Sequence, residues 1–224
     1  MHKSFLQINR GTIYNYTLLI LVVFTMFFIS FFPPEWYNMM FGFFFSLIFI
    51  NAALVVKKRR KYVVAIALFI VALELLSSLL EMRLLNWTSK IINIIFFVFI
   101  VFNFITMIAR SKTVTANVIL ESINGYLMLG LVFALMIAIA MLYDPNSFHF
   151  PQPIVEPGGG YNFYNYIYYG MVTLSTLGYG DIVPLLPFSK SLATLTSIAG
   201  QLYIAIIIAM LVGKYSAKIS SKNK

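Results

Sequence analysis

The sequence has 224 residues, of which 61% are hydrophobic and 10% are charged, with a formal net charge of +9. Soluble domains carry roughly 25% charged residues, so this composition excludes a soluble globular protein and indicates an integral membrane protein. The basic residues stand in short clusters between apolar runs, which favours a topology signal over nucleic-acid binding, and the lack of cysteine excludes disulfides and thiolate chemistry.

Six apolar segments are long enough to cross the hydrocarbon core of a bilayer, which takes roughly 20 residues of helix. They lie at about 13–32, 37–56, 62–80, 91–109, 118–142 and 190–213. The first follows basic residues, as a signal peptide does, but it ends at Phe32-Pro33 without a small-residue cleavage pattern. We therefore expect it to be retained as a helix.

The lysines and arginines set the direction of these segments. With the N-terminus in the cytoplasm, all of the 16 basic residues except Arg83, Lys90 and Lys190 lie on the cytoplasmic side, as the positive-inside rule requires. The sequence thus predicts a multi-pass protein of the cell membrane with both termini cytoplasmic. A basic cluster that we also expect to attract anionic lipid headgroups consists of Lys57, Lys58, Arg59, Arg60 and Lys61.

Glu74 is the one acidic residue well inside the first four segments, about 20 Å along a helix from Lys61. An ionisable residue inside a membrane is a functional-site hypothesis by default. The alternatives are pairing with Lys90 or Asn93 near the outer end of the helices, or neutralisation by protonation.

The interval between the fifth and sixth segments is too long for a simple hairpin. Residues 144–160 contain four prolines and end in three successive glycines, which predicts an irregular extracellular loop. Residues 162–175 predict a half-helix of about 21 Å, with Asn162 as its N-cap, which reaches only part of the way across the membrane.

The next five residues, "TLGYG" at 176–180, would return to the surface as extended chain. Gly178 and Gly180 permit backbone conformations that are closed to residues with a Cβ. Alternating these conformations with ordinary ones can turn successive carbonyl oxygens to the same side, where they can replace the water shell of a cation. One chain supplies one side of such a column, so several copies about a symmetry axis are implied.

The motif "TLGYGD" is very similar to the signature of potassium channels, whose filter loops contribute rings of carbonyl oxygens from four subunits. The resemblance extends over roughly residues 115–215 and departs from the common pattern at Leu177, where valine is more frequent. It implies that potassium ions are coordinated by backbone carbonyls, with the Thr176 hydroxyl as the innermost ring and Gly180 shaping the outer mouth. The implied filter residues are Thr176, Leu177, Gly178, Tyr179 and Gly180.

The resemblance also implies a set of residues that support the filter. Asp181 would accept a hydrogen bond from Tyr168, while Val172 stands where some members have a glutamate. The Tyr179 ring would enter an aromatic cuff; the alternative for the cuff tyrosines is an interfacial belt. Thr173 and Ser175 are further candidate supports, unless they bond backbone carbonyls one turn earlier. The cuff candidates are Tyr164, Tyr166, Tyr168 and Tyr169.

The last segment carries the candidate gate and cavity. Gly200 matches the hinge glycine of the family, and close packing against the half-helix is the alternative. Ser197 and Gln201 are four residues apart and share a face, which we expect to line a water-filled cavity that continues toward Ile204 and Ile208. A hydrogen bond to a neighbouring helix is the alternative for Gln201.

The fourth segment, 91–109, contains no charged residue, whereas voltage-gated channels carry arginines at every third position there. Sensing a potential requires charge that moves through the field, so this helix is not a conventional voltage sensor. We divide the chain into a four-helix domain at 1–112, a pore domain at 113–215 and a short basic cytoplasmic tail at 216–224, which we expect to be too short for a sensing domain.

The sequence therefore predicts an all-α membrane protein with six transmembrane helices, a re-entrant pore helix and a selectivity filter, assembled as a four-fold symmetric homotetramer with three further copies. The predicted function is passive, potassium-selective conduction without steep voltage dependence. A poorly selective cation channel and the pore subunit of a potassium transport system are the alternatives. No paired carboxylates, histidine cluster or nucleophile constellation indicates an enzyme.

Overall fold

The protein is helical in the computed structural model of the chain, which describes residues 10–56, 59–80, 83–111, 113–151 and 163–222. Two single 3-10 turns, Ile29–Phe31 and Pro34–Trp36, and two very short strands, β1 (Phe148–His149) and β2 (Val183–Pro184), lie between the helices. The helices are α1 (Arg10–Phe27), α2 (Tyr37–Val55), α3 (Arg60–Leu80), α4 (Arg83–Arg110), α5 (Ala116–Tyr143), α6 (Phe163–Leu174) and α7 (Pro187–Lys222).

Three helical segments of the described chain are long and apolar enough to cross a membrane: Thr88–Arg110, Ala116–Tyr143 and Pro187–Ser216. Shorter apolar helices cover Gly11–Phe27 and Met39–Val55. The remaining three of the six predicted spans stay predictions.

Several predicted ends differ from the structure, among them the start of α4, which is Arg83 and not residue 91. The first span was expected to reach residue 32, but α1 ends at Phe27, because the chain tightens into a 3-10 turn ahead of Pro33 and Pro34, and proline cannot continue a helical ladder. At the other end of the chain, α7 continues to Lys222, into the region predicted as a separate tail.

Helix α5 lies at the centre of the molecule and packs against α1, α4, α6 and α7. Its side chains Met128, Leu131 and Ile137 are almost completely buried. Two glycines let its neighbours approach closely: a Cβ on Gly125 would collide with the Tyr203 hydroxyl of α7, and a Cβ on Gly170 of α6 would lie 3.3 Å from the Ala134 backbone nitrogen. The half-helix α6 is therefore held between α5 and α7.

A buried polar cluster joins α1 to the first turns of α5. Asn15 Nδ2 donates to Asn117 Oδ1 at 2.8 Å, Asn117 Nδ2 donates to Glu121 Oε1 at 2.8 Å, and Asn124 Nδ2 donates to the Asn15 backbone carbonyl at 2.9 Å. Glu121 is 1% exposed. This cluster was not predicted, although the spacing of four and three residues along α5 places Asn117, Glu121 and Asn124 on one helix face.

The two short strands tie the loop after α5 to the chain that leaves the filter motif. Phe148 pairs with Pro184 and His149 with Val183 in antiparallel register, and the Leu185 backbone N–H donates to the Ser147 carbonyl at 2.9 Å. The loop at 144–160 was predicted to be irregular, which is wrong at residues 148–149. Their partner strand lies at residues 183–184, too far along the chain for a local sequence pattern to reveal the pairing. Residues 152–162, including the predicted N-cap Asn162, lie outside the described residues.

Candidate functional site

The half-helix α6 has 12 residues, from Phe163 to Leu174, and it ends where the filter motif begins. The backbone N–H groups of Leu177 and Gly178 both donate to the Val172 carbonyl, at 3.0 and 3.3 Å, and that of Thr176 donates to the Thr173 carbonyl at 3.0 Å. The motif therefore folds back over the end of its own helix and satisfies carbonyls that a helix terminus leaves free.

The backbone of residues 176–180, which we call the filter segment, alternates in conformation. Every second residue is left-handed: φ is 61° at Thr176, 56° at Gly178 and 78° at Gly180. A Cβ on either glycine would meet nothing within 4 Å, so glycine is required here for its conformation and not for space. Such alternation is the geometry in which successive carbonyl oxygens can point to one side.

Left-handed backbone was predicted only at Gly178 and Gly180. A β-branched residue with positive φ is a genuine outlier and costs of order 1–3 kcal/mol. The Thr176 side chain is held by α7, because Gln201 Nε2 donates to Thr176 Oγ1 at 3.1 Å. This contact brings one predicted cavity residue to the inner end of the filter segment.

A second contact lies just after the filter segment. The Tyr168 hydroxyl donates to Asp181 Oδ2 at 2.6 Å, and Asp181 Oδ1 accepts from the Ile182 backbone N–H at 3.0 Å. The hydrogen bond from Tyr168 is the main cause that lowers the pKa of Asp181 below its ordinary value. The same bond raises the pKa of Tyr168 to about 12. At neutral pH the pair is therefore a tyrosine bonded to a charged carboxylate.

The other residues predicted to support the filter contact α6 itself or the loop after α5. The Ser175 hydroxyl donates to the Val172 carbonyl at 3.1 Å, as in the alternative interpretation. Thr173 shares a side-chain hydrogen bond with Tyr169. The ring of Tyr166 packs on Phe150 and Phe163, and that of Tyr169 packs on Phe148.

The Tyr179 ring is 66% exposed, and no aromatic ring of the described chain is in ring contact with it. Tyr179 therefore does not enter a cuff within one chain. A cuff completed by a neighbouring copy stays a prediction.

Gly200 of α7 lies directly against the end of α6. A Cβ added to Gly200 would be 1.9 Å from the Leu174 carbonyl oxygen, a backbone atom that cannot turn aside. The structure thus supports the close-packing alternative for this glycine, and nothing in it tests a hinge. On the neighbouring face of α7, Gln201, Ile204 and Ile208 are exposed and Ser197 is half-buried within one chain, so this face is available to line a cavity.

The basic residues after α2 are only partly described, since Lys57 and Lys58 lie outside the described residues. Arg59 and Lys61 are exposed. The Arg60 guanidinium lies 4.4 Å from the centre of the Tyr14 ring, so part of the cluster packs on α1. Contact of the cluster with lipid stays a prediction.

Lys214 of α7 contacts α4. From the sequence, this lysine was interpreted only as one of the basic residues that set the topology. Its ammonium donates to the carbonyls of Ile108 and Ala109, the latter at 3.1 Å, and to Ser111 Oγ at 3.0 Å. These acceptors lie at the C-terminus of α4, where a positive charge is favourable. Nothing in the sequence around Lys214 indicates that it would contact α4.

Comparisons with known proteins agree with the class of protein that this site indicates. Residues 126–216 match a family model described as "Ion channel". A stretch of 105 residues is 30% identical to a protein of Rhodopseudomonas palustris named "Putative potassium channel protein", covering 47% of this chain and 25% of that protein. The chain thus spans about a quarter of the length of this curated relative. No solved structure matches the chain.

The three long apolar helices are consistent with a multi-pass helical membrane protein, and residues 126–216 are similar to ion channels. The relative and the family model together support a potassium channel family. The family match lies in the part of the chain that holds most of α5, α6, the filter segment and most of α7.

Proposed function

We propose that the chain is the subunit of a homotetrameric, potassium-selective channel, in which the filter segments of four copies surround a single file of K⁺. The observation that carries this proposal is the alternation of left-handed backbone at Thr176, Gly178 and Gly180, between a half-helix and a long apolar helix. Rings of carbonyl oxygens replace the hydration shell of K⁺ in such a filter. The proposed ligands are the carbonyls of residues 176–180 and the Thr176 hydroxyl.

The contacts at the two ends of the filter segment fit this role. At the inner end, Thr176 Oγ1 accepts from Gln201, which leaves a further lone pair on the hydroxyl oxygen for an ion. Past the outer end, the bond between Tyr168 and Asp181 fixes the chain that leaves the filter to the half-helix. Helix α6 ends beside α7 at Gly200, and the negative end of its dipole favours a cation below the filter.

Exposed surface within one chain is compatible with contacts to further copies. The Leu177 side chain is 57% exposed. Helix α7 is mostly exposed within one chain, since only 22% of its most apolar stretch is buried. Its large apolar side chains Leu195, Leu202 and Ile206 are each at least half exposed. Members of the ion channel family are typically oligomeric, and four-fold closure follows from the potassium-channel resemblance.

Conduction is proposed to be passive and not steeply voltage-dependent. The part of α4 between Lys90 and Arg110 carries no charged residue, and opening becomes steep only when charges cross the field, at about 2.3 kcal/mol per charge per 100 mV. We place the protein in the cell membrane with both termini in the cytoplasm and with the cluster at residues 57–61 at the anionic leaflet surface.

The test is the reversal potential of the purified full-length protein in a planar bilayer with KCl on one side and NaCl on the other. A large reversal potential is expected, with the sign set by K⁺ leaving the KCl side and the size of a potassium-to-sodium permeability ratio far above one. A potassium-to-sodium permeability ratio near one would replace the proposal by a poorly selective cation channel. Absence of current with intact tetramers would favour the pore subunit of a transport system.

Voltage steps on the same preparation test the second part. The open probability should change only gradually with voltage, and a steep conductance–voltage curve would contradict it.

A further inference from the structure

A cavity of about 470 Å³ lies among α2, α3, α4, α5 and the first turn of α6, away from the filter segment. Five aromatic rings contribute to its wall, from Phe41, Phe45, Phe49, Phe163 and Tyr166, and Glu74 projects into it. Its volume is in the range of small-molecule sites, which are mostly apolar with a few placed polar groups.

The Glu74 carboxylate is held at one oxygen only. Asn93 Nδ2 donates to Glu74 Oε2 at 3.0 Å, so the pairing with Asn93 weighed in the sequence analysis is present. Among the described residues, Oε1 accepts no hydrogen bond and no ion pair joins Glu74 to Lys90, although Lys90 also lines the cavity. The carboxylate is thus oriented by Asn93 and keeps one oxygen for a partner in the cavity.

The cavity reaches the surface of the chain at Gly42, near exposed apolar side chains. Gly42 lines the cavity, is exposed, and would carry a Cβ that meets nothing within 4 Å. On either side of it, Met39 and Phe43 are 66% and 59% exposed. A molecule that reaches this opening from the membrane must have an apolar body.

A carboxyl oxygen without a partner calls for a hydrogen-bond donor, and the faces of aromatic rings attract a cation. A metal ion is a poor fit, because hard cations take six or more oxygen ligands and the phenyl walls supply none. We propose that this cavity binds an amphipathic organic cation, with its ammonium group at Glu74 and its apolar body between the phenyl rings.

An occupant of this cavity touches α6, the helix that directly precedes the filter segment. Phe163 and Tyr166 belong to α6, and Tyr168, two residues further along, holds Asp181 beside the filter segment. Occupancy should therefore change the current. This consequence rests on the proposed channel function, whereas binding itself does not.

The test compares two probes of the same shape, 1-naphthylmethylammonium and the neutral 1-naphthylmethanol, titrated onto the full-length protein in lipid nanodiscs. The ammonium should bind about tenfold more tightly than the alcohol, because a hydrogen bond to a charged group is stronger. Glu74→Gln should abolish this difference, and Glu74→Asp should retain most of it. Lys90→Met should strengthen binding of the ammonium, since it removes a like charge, and Lys61→Met is the matched control.

Equal affinity of the two probes for the unaltered protein would overturn the proposal. So would undiminished ammonium binding by Glu74→Gln, which would locate the cation elsewhere, for example in the ion pathway. Retained helicity and tetramer size of each variant show that it is folded. Binding that depends on Glu74 but leaves the current unchanged would overturn the coupling to the filter and leave the site intact.

Discussion

The two halves of the molecule, α1 to α4 and α5 to α7, are each stabilised by a different kind of contact. From α1 to α4, the contacts are mainly between apolar and aromatic side chains: the Phe49 ring lies 4.3 Å from that of Phe97 and 5.1 Å from that of Phe96, between centroids. From α5 to α7, the decisive contacts involve the backbone: a glycine against a carbonyl at Gly200, three left-handed residues in the filter segment, and carbonyls capped by the motif itself.

This difference decides how each half responds to change. Apolar packing tolerates substitutions of similar volume, so many sequences can build a four-helix bundle of this kind. A left-handed residue or a glycine pressed against a carbonyl admits almost no alternative. The family match, which covers residues 126–216, falls in the half with the backbone constraints.

The largest expected effect is that of Gly178→Ala on ion selectivity. The left-handed backbone at this position costs a residue with a Cβ about 1–2 kcal/mol, and four copies in one tetramer repeat the cost. Because a Cβ here would meet nothing within 4 Å in one chain, the effect tests conformation and not crowding. We expect loss of potassium-selective current, measured as a collapse of the reversal potential between KCl and NaCl.

Gly213→Ala is the matched control, because Gly213 also has open space around a Cβ but lies in helix α7 without positive φ. It should leave the reversal potential unchanged. If both variants behaved alike, the conformational argument for the filter segment would be wrong.

The next largest effect should follow Gly200→Ala. The new Cβ would lie 1.9 Å from the Leu174 carbonyl oxygen, so α6 and α7 must separate. Overpacking of this kind costs typically 1–3 kcal/mol, against a gain of about 1 kcal/mol from helix propensity. The tetramer should melt at lower temperature, and its current should fall.

Gly213→Ala again serves as the control and should melt at the same or a slightly higher temperature. A hinge predicts a different pattern for Gly200→Ala: unchanged thermal stability together with a changed open probability. That result would contradict close packing as the reason for this glycine.

Much of the half with the filter could be predicted from the sequence, because a short motif there is tied to local geometry. The half-helix was expected at residues 162–175 and is present at 163–174, and the residues Tyr168 and Asp181 are in contact. The positive φ of Thr176 could not be foreseen, because β-branched residues rarely adopt left-handed backbone.

Less could be predicted for the other half. Hydropathy located the helices but not their partners, since an all-round apolar helix carries no marked face. The polar cluster of Asn15 and Glu121 depends on which helix packs on α5, and the cavity at Glu74 depends on the positions of five helices. Neither the assembly nor the roles of the filter residues follow from one chain.

A smaller effect is expected for Tyr168→Phe. The bond to Asp181 lowers the pKa of that carboxyl and raises the pKa of Tyr168 to about 12. Its contribution to stability is therefore present at neutral pH, is lost as pH falls through the lowered pKa of Asp181, and is lost as pH rises through the pKa of Tyr168. Solvent screening limits it to less than about 1 kcal/mol per chain.

The measurement is the melting temperature of the tetramer across the acid range. The difference between the unaltered protein and Tyr168→Phe should be largest at neutral pH and should shrink on acidification. Tyr164→Phe, on the same half-helix, should show no such pH-dependent difference. A difference that stayed constant through the acid range would mean that Asp181 is not the partner that matters.

The smallest expected effect concerns the link between the two halves. Lys214 of α7 donates to carbonyls at the C-terminus of α4 and to Ser111 Oγ, and a cation at a helix C-terminus contributes about 0.5 kcal/mol. Lys214→Met keeps the length of the side chain and removes the charge, so it should lower stability slightly and shift the open probability by a small factor. Lys214→Arg should restore both, because a guanidinium can also donate to these carbonyls.

Single-channel recording of both variants checks this prediction, and Lys61→Met, which changes an exposed lysine outside the contact between α7 and α4, is the control. Equal open probabilities for Lys214→Met and the unaltered protein would show that α7 moves independently of α4.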